Sequence, residues 1–423
     1  MRLLRFGICA LVVFAVAAHG GVEDWARAVF ETGTGLLFFA WALWFCFTHE
    51  EEILISSLLP PLATFFLIVC GQWFFHGTAS SYATRTELLL LLSDLILLFL
   101  AVQAFRTLQD WRGFIWFGMV LGFLVSIFGI LQHLTFNGKV YWFREMRYGG
   151  IPFGPYVNRN HFAGFVELIL PLALVPLVLG RVRRERWPVV GLFAVVPIGA
   201  LFLSASRGGI VSFGVELAVL ALVMIQRRAR GKQLFAGAAV LFLASFMVYW
   251  LGVGQLLQRF SSLQSLEVTA GKRASMRRDT WQIFLHHPIA GTGLGTLQIV
   301  YPPYESLYDG KIVNHTHNDY LEALAETGIL GGLCCAWFLG VLFRESFSRL
   351  RQLNNSFAGT LQLSGLVACT GFLVHSLVDF NLHIPSNALL FFLMAHLAAS
   401  EMQSDNRRPS PARRTTEIPE ITD

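Results

Sequence analysis

The sequence predicts an all-α polytopic membrane protein, and three observations lead to that prediction. Hydrophobic residues make up 55% of the 423-residue chain, charged residues make up only 14%, and the mean hydropathy is +0.57. Soluble domains carry about 25% charged residues and have cores that stop growing at about 250–300 residues, so a soluble protein could not bury this apolar surface. Apolar runs of bilayer-spanning length recur along the chain. These observations exclude a soluble enzyme, a disordered chain and a secreted disulfide scaffold.

Twelve segments have the length and composition of membrane-spanning helices. They cover approximately residues 4–19, 29–47, 53–75, 87–105, 113–134, 161–180, 187–204, 209–226, 233–252, 321–343, 358–376 and 386–400. The first segment is either a cleaved signal peptide or a signal anchor, because Arg2 and Arg5 precede a short apolar run. We favour an uncleaved anchor.

Short basic loops predict the orientation, because Lys and Arg gather in cytoplasmic loops. Such loops at residues 181–186, 227–232 and 344–351 all fall on one side of a twelve-span chain. We therefore expect both termini to be cytoplasmic. Residues 1–400 are predicted to form a single transmembrane domain, and the polar residues 401–423 a disordered cytoplasmic tail.

Two long segments, residues 135–160 and 253–320, then lie on the outer side. Long loops in compact proteins are functional or disordered, and the Trp, Tyr and Gly content of the second segment argues against disorder. Its apolar pattern predicts an amphipathic helix on the membrane surface. The residues of that pattern are Leu256, Leu257, Phe260, Leu263 and Leu266.

The charge and the cysteines bear on possible partners. A net charge of +5 and a pI near 9.0 fit either a nucleic-acid partner or basic cytoplasmic loops, and the hydropathy favours the loops. The six cysteines all lie in apolar runs without metal-ligand spacing, so we interpret them as small buried hydrophobic residues.

An arginine lies between two apolar segments, in the run SASRGG at residues 204–209. Arg207 is costly there unless it meets an anion or water, and glycines followed by a helix N-terminus bring N–H groups to a phosphate. Alternatively, an ordinary turn lets the arginine extend to lipid headgroups. These residues alone favour neither interpretation.

The second long segment carries three further arginines, Arg273, Arg277 and Arg278. Guanidinium groups bind phosphate oxygens in pairs and stay charged, so ligand binding is the favoured interpretation. The run HHPIAGTGLG at residues 286–295 resembles a nucleotide loop, but no strand–turn–helix unit or P-loop lysine accompanies it. We therefore interpret its glycines as a tight turn.

The run NHTHNDY at residues 314–320 precedes the tenth predicted span. Asp319 and Glu322 have the spacing of a capping box, which places His317 just outside a helix end. A histidine there can take a proton from a hydroxyl nucleophile. Two alternatives stay open. One is a metal site formed by His315, His317 and Asp319, disfavoured because no fourth ligand is evident, and the other is an ordinary surface histidine.

Polar clusters at residues 158–161 and 375–383 end on the same side as these runs, and their convergence is more informative than any one of them. Asp94, Glu167 and Glu216 lie inside predicted spans, where a charge that faces lipid is costly. They indicate either an ion path in a transporter or hydrogen bonds between helices. Because no pair of segments shows a repeat or broken-helix pattern, we favour helix packing.

Five runs, in chain order, resemble the O-antigen ligase and polymerase family. They are NRNHFAGFVELILPLAL, SASRGGIVSF, RRDTWQIFLHHPIAGTGLGTL, HTHNDYLEALAETGILGGL and HSLVDFNLHIPSNALLFFL. The resemblance covers about residues 150–400, and its specific elements are SxSRG and HxHNxYLxxxxExGxxG. It implies a GT-C-like glycosyltransferase that takes glycans from undecaprenyl diphosphate at the periplasmic face of the bacterial inner membrane.

The resemblance also implies roles for residues. His317 is expected to be the general base, and Arg207 with Arg277 to bind the diphosphate, with Arg278 as the alternate for Arg277. The implied reaction inverts the sugar and needs no metal or cofactor. The acceptor hydroxyl belongs to lipid A core, to a growing polysaccharide or to a protein, and no nucleic acid takes part. We further expect substrate contacts from Arg273, Asn160, His315, Asn318 and Asp379.

Overall fold

The computed structural model describes residues 1–48, 52–145, 151–226, 263–352 and 356–402, with four isolated positions between 227 and 262, and only the backbone of 263–270. Its regular elements are helical over the described residues, apart from two isolated β-bridges. The α-helices are α1 Arg2–Ala17, α2 Asp24–Thr48, α3 Leu59–Phe74, α4 Ser81–Ala104, α5 Leu108–Leu134, α6 Arg159–Ile169, α7 Pro171–Val178, α8 Trp187–Ser204, α9 Arg207–Gln226, α10 Leu263–His286, α11 Leu297–Val300, α12 Asp319–Gln352, α13 Phe357–His375 and α14 Pro385–Ala399.

Eight apolar helical segments of the described chain are long enough to cross a membrane, and α3 and α14 are shorter apolar helices. This composition confirms the prediction of an all-α polytopic membrane protein. The predicted span at 233–252 and most of the predicted surface-helix residues fall outside the described residues. So does nearly all of the predicted tail at 401–423.

Two spans begin earlier than their hydropathy predicts, because polar first turns are stabilised by caps. Ser80 accepts the Ala83 N–H at the start of α4. At the start of α5, Thr107 and Asp110 form a reciprocal capping box. Each helix therefore starts about a turn and a half before its apolar run.

Helix α12 is broken at Gly328, which has φ 63° and ψ −163°. A Cβ on this glycine would lie 2.2 Å from the carbonyl oxygen of Ile289, so only glycine fits. Beyond the break the helix continues through Arg344 and Arg349 to Gln352. The predicted basic loop at 344–351 is therefore wrong, because those arginines extend the helix beyond its apolar part.

The run at 286–295 fills the gap that this break opens. Its carbonyl groups at Pro288 and Ile289 accept the N–H groups of Ile329 and Leu330, at 2.8 and 3.3 Å. In the other direction, the Gly293 N–H donates to the carbonyl of Glu326 at 2.9 Å. Every backbone group freed by a break in a membrane helix needs such a partner. The glycines of the run therefore form a structural clamp, as the tight-turn interpretation predicted.

Contacts between the loops define the two ends of the bundle. At one end, which we call the site end, the Ser386 N–H donates to Gly20 and Ser206 donates to Asn160. At the opposite end, Arg5 pairs with Asp110 and Gln362 donates to Ser400. Helices α13 and α14 pass through the centre, with nearly every residue buried. The predicted polar clusters all lie at the site end.

The acidic residues of the spans lie inside the bundle. His375 Nδ1 lies 3.2 Å from Oε2 of Glu167, so this pair joins α13 to α6. A Cβ on Gly371 of α13 would lie 2.2 Å from Oε1 of Glu216, which places Glu216 of α9 against α13. Asp94 is also buried, at 7% exposure. These positions support the helix-packing interpretation.

Candidate active site

His317 and Asp379 meet at the site end. Nδ1 of His317 lies 3.1 Å from Oδ1 of Asp379, where the side chain of the histidine is 25% exposed and that of the aspartate 1%. His317 takes a left-handed conformation, with φ 55°, in the last turn of chain before α12. Because a carboxylate only accepts, the Asp379 contact assigns the proton of the neutral imidazole to Nδ1, and that tautomer has its lone pair on Nε2. Such a histidine can act as a base.

The carboxylate of Asp379 stays ionised in this position. Burial alone would raise its pKa, but the hydrogen bond from His317 and the nearby imidazoles of His161 and His375 hold the pKa of Asp379 well below its usual range. Oδ1 also accepts the Phe380 N–H at 2.9 Å. The negative charge therefore remains available to orient His317 and to stabilise its protonated form.

Asn160 joins this pair to the SASRGG turn. Its amide nitrogen donates to Oδ2 of Asp379, and its amide oxygen accepts from the hydroxyl of Ser206 at 2.9 Å. Ser206 in turn caps α9, because its Oγ accepts the Gly209 N–H at 3.3 Å. Four segments distant in sequence are thus held in a fixed order from the histidine to the turn.

Arg207 is the first residue of α9 and its side chain is exposed. The chain enters the helix through Ala205, which has φ 52°. A Cβ on Gly208 would lie 2.7 Å from Nε2 of His375 and 3.0 Å from Cγ2 of Val378, so the turn packs directly on the segment that carries Asp379. Within the described residues Arg207 has no ion-pair partner.

Helix α10 approaches the same segment with one face. Arg273 donates to the carbonyl oxygen of Val378 at 3.3 Å, and Thr280 lies 3.1 Å from Thr316, the hydroxyl oxygens being in contact. Arg277 is four residues after Arg273 and three before Thr280, which places it on the same helical face. It is half-buried and has no ion-pair partner among the described residues.

Arg278 points away from this face. Its guanidinium donates to the hydroxyl of Ser306 at 3.0 Å, and its side chain is 68% exposed. The neighbouring Asp279 accepts from Tyr301 and from Ser306, each at 3.0 Å. Arg277, and not Arg278, therefore shares the face of α10 that contacts Thr316 and Val378.

The predicted capping box at Asp319 and Glu322 is wrong. The cap is Asn318, whose Oδ1 accepts the Leu321 N–H at 3.0 Å, and whose backbone carbonyl accepts the Glu322 N–H at 3.0 Å. Asp319 instead accepts from Nδ1 of His383 at 3.0 Å. Tertiary partners take both carboxylates, so the position of Asn318 as a cap is what fixes the helix start.

His315, Glu322 and His383 form the described cluster that could hold a metal ion. Their ligand atoms lie within 4.8 Å of one another. Nδ1 of His315 lies 2.6 Å from Oε1 of Glu322, and the His315 ring stacks on Phe380 at 4.1 Å between centroids. These hydrogen bonds give the cluster partners without an ion, and the metal set suggested by the sequence, which included His317, is not the one brought together.

His383 is the cationic member of the cluster. Burial lowers its pKa, but the carboxylates of Glu322 and Asp319 more than offset this and raise the pKa to about 10. The imidazole is therefore charged at neutral pH, with donors at both ring nitrogens. Nδ1 faces Asp319, and Nε2 lies 3.4 Å from Oε1 of Glu322.

Part of the chain matches a known protein family. The O-antigen ligase family model matches residues 192–336. The match begins inside α8 and ends inside α12, so it covers about a third of the chain and includes Arg207, Arg277 and His317. It confirms the resemblance to the O-antigen ligase family over this part of the chain and supports the class of O-antigen ligase and polymerase-type glycosyltransferases. The chain matches none of the curated proteins with which it was compared.

Two residues of the candidate site lie outside the matched region. Asn160 and Asp379 were expected to contact substrate, and the structure gives each of them a partner within the site. Substrate contacts by these residues, and by Arg273, His315 and Asn318, stay a prediction. Glu322 and His383 were not assigned from sequence, although three acidic residues on one face of an otherwise apolar helix were a visible signal.

Proposed function

We propose that this protein transfers a glycan from undecaprenyl diphosphate to an acceptor hydroxyl at the periplasmic face of the bacterial inner membrane. The proposed acceptor is lipid A core or another glycan, with a protein as the alternative. The observation that carries the proposal is the His317–Asp379 hydrogen bond. The turn that carries Arg207 and the helix that carries Arg277 both pack against Val378, the residue before Asp379. Neither arginine has an ion-pair partner among the described residues. The O-antigen ligase family match supports the reaction class.

His317 is the proposed general base. Its Nδ1–H is held by Asp379, so Nε2 is free to take the proton of the acceptor hydroxyl as the new bond forms. Asp379 stabilises the imidazolium that results. Because the histidine side chain is 25% exposed, an acceptor can reach it from outside the bundle.

The arginines are the proposed diphosphate site. The guanidinium groups of Arg207 and Arg277, with the N-terminus of α9, would stabilise the charge that grows on the diphosphate as the sugar–oxygen bond breaks. The bond between the anomeric carbon and the phosphate oxygen breaks with its electron pair on the diphosphate, and the bond to the acceptor oxygen forms. A diphosphate is already a good leaving group, so no second carboxylic acid is needed to protonate it.

This reaction is a single displacement. The acceptor oxygen attacks the face of the anomeric carbon opposite the diphosphate, so the configuration inverts and no covalent glycosyl intermediate forms. No step requires a metal ion or a cofactor. Both termini are then cytoplasmic and the site end faces the periplasm, as the basic loops predict.

The deciding experiment uses the purified full-length chain in lipid nanodiscs, with a synthetic undecaprenyl-diphosphate oligosaccharide as donor. Release of undecaprenyl diphosphate is expected only when a hydroxyl acceptor is added, and the acceptors tested are lipid A core, the donor glycan itself and a serine-containing protein. The best acceptor separates ligase, polymerase and protein transferase. In sealed vesicles that hold the same protein, glycan movement across the membrane without cleavage of the diphosphate bond would contradict the proposal and indicate a transporter.

Two variants test the assigned roles in the same assay. His317→Ala is expected to lower turnover by about 10²–10⁴-fold while donor binding persists, because it removes only the base. Arg207→Lys keeps the charge but loses paired hydrogen bonding, so the donor KM should rise about tenfold. Wild-type turnover of His317→Ala would remove the histidine from the mechanism.

A further inference from the structure

Three buried carboxylates line one face of the short helical segment that precedes the break at Gly328. Asp319, Glu322 and Glu326 are spaced by three and four residues, so they share a face, and they are exposed by only 4%, 1% and 1%. Buried carboxylates are costly unless each finds donors. The donors come from different segments, and His383 serves two of the three carboxylates.

Glu322 binds the segment that leads into His317. Its Oε1 lies 2.6 Å from Nδ1 of His315, and its Oε2 accepts the Thr316 N–H at 2.8 Å. Thr316 directly precedes His317 in the chain. The carboxylate thus fixes the backbone one residue away from the proposed base, at a point where that base must hold a left-handed conformation.

Asp379, the hydrogen-bond partner of His317, lies on a different segment of the chain. That segment also contacts Glu322, through His383. Nε2 of His383 lies 3.4 Å from Oε1 of Glu322, and its Nδ1 lies 3.0 Å from Asp319. Asp319 also accepts the Leu382 N–H at 3.2 Å. The two segments that must meet for the His317–Asp379 hydrogen bond are thus joined a second time, through buried charge.

We infer that Glu322 is a positioning residue for His317, which it holds in register with Asp379 by binding His315, Thr316 and His383. The inference rests on the proposed role of His317 as the base. Displacement of a catalytic group by about 1 Å can cost a hundredfold in rate, so loss of this support should act on turnover and not on donor binding.

The substitution Glu322→Gln keeps the size of the side chain but leaves only one oxygen that can accept a hydrogen bond. In the wild type, His315 and the Thr316 N–H use both oxygens. Glu326→Gln is the matched control, because Glu326 lies on the same face yet accepts from the Gly295 and Leu297 N–H groups, at 2.9 and 2.8 Å, and not from the segments that carry His317 and Asp379. With the nanodisc assay, kcat of Glu322→Gln is expected to fall about a hundredfold at an unchanged donor KM. Glu326→Gln should retain kcat within about threefold in the folded fraction.

A double-mutant cycle with His317→Ala tests whether Glu322 acts through the histidine. In the His317→Ala background, Glu322→Gln is expected to change the residual rate by less than about threefold, since the group it positions is gone. An undiminished hundredfold loss in that background would overturn the inference. So would a kcat near the wild-type value for Glu322→Gln alone.

Two further measurements keep the test decisive. If Glu322→Gln does not fold, His383→Gln removes the link to the second segment and is expected to lower kcat at an unchanged donor KM; a normal kcat would overturn the inference. One equivalent of zinc or another divalent ion in the purified protein, lost in Glu322→Gln, would assign the cluster to a metal and overturn it too. Wild-type activity of His317→Ala is a different result, because it refutes the proposed function itself.

Discussion

Nδ1 of His317 lies 3.1 Å from Oδ1 of Asp379, and this hydrogen bond joins the start of α12 to the loop that follows α13. The imidazole of His317 also meets the ring of Phe380 at 5.0 Å between centroids. The histidine is therefore held from two directions by consecutive residues of one loop. A base held in this way presents the same nitrogen to each acceptor.

Asp379→Asn is expected to lower kcat by about a hundredfold or more, because an amide can neither fix the Nδ1–H tautomer nor stabilise the imidazolium. The donor KM should be little changed, since the Asp379 side chain is only 1% exposed and holds the histidine. Steady-state kinetics in the nanodisc assay measure both quantities. A variant with normal kcat would show that His317 does not depend on this carboxylate.

Asn160→Asp is expected to be more damaging than Asn160→Ala, although it preserves the shape of the side chain. The amide donates to Asp379, which is held ionised, so a second carboxylate would place like charges in contact. The variant should lose thermal stability at neutral pH and recover part of it below pH 4, where carboxyl groups are protonated. Thermal unfolding followed by tryptophan fluorescence checks this order, and equal melting temperatures at neutral pH would contradict it.

Much of the fold follows from the sequence, because apolar runs of about 20 residues have few alternatives to a membrane helix. The runs that contain Arg207 and His317 were also visible, since a charged or titratable residue at the edge of an apolar span requires a reason. Both kinds of signal are local. Each needs only the hydropathy of its neighbours.

The errors arose where distant residues decide the structure. Asp319 and Glu322 have the local spacing of a capping box, but His383 and His315 take their carboxylates and leave Asn318 as the cap. The break at Gly328 likewise depends on the backbone of residues 288–290, which lies far away in sequence. No pattern within one segment predicts such contacts.

Gly291→Ala tests the clamp between the glycine run and the broken helix. A Cβ there would lie 2.2 Å from a backbone carbon of Glu326, and the residue has φ 71°. Gly310→Ala is a matched control, because Gly310 has φ 79° but no atom within 4 Å of its Cβ position. Backbone strain should lower the stability of both variants by about 1 kcal/mol. Overpacking should lower that of Gly291→Ala by about 1–3 kcal/mol more. Melting temperatures in detergent give the comparison, and equal losses would refute the clamp.

The charged imidazole of His383 should make stability depend on pH in the alkaline range. Because its folded-state pKa is raised to about 10, the stabilisation is complete below its ordinary pKa of about 6.5 and is lost as the pH rises through 10. The melting temperature of the wild type should therefore exceed that of His383→Gln by an amount that shrinks between pH 6.5 and 10. His286→Gln is the control, because the hydrogen-bond partner of His286 is the Tyr304 hydroxyl, at 2.8 Å, and not a carboxylate. A difference for His383→Gln that stays constant over this range would contradict the charge assignment.

Arg277→Ala and Arg278→Ala separate two adjacent arginines that the sequence could not rank. Arg277 lies on the face of α10 that Arg273 and Thr280 hold against residues 316 and 378, whereas Arg278 donates to Ser306 and is largely exposed. Loss of a cation that stabilises the leaving diphosphate should lower kcat/KM about a hundredfold, whereas loss of an exposed contact should change it by less than about threefold. Donor titrations of both variants at equal protein recovery measure the ratio. A larger defect in Arg278→Ala would place the diphosphate on the other face of the helix and would remove Arg277 from the site.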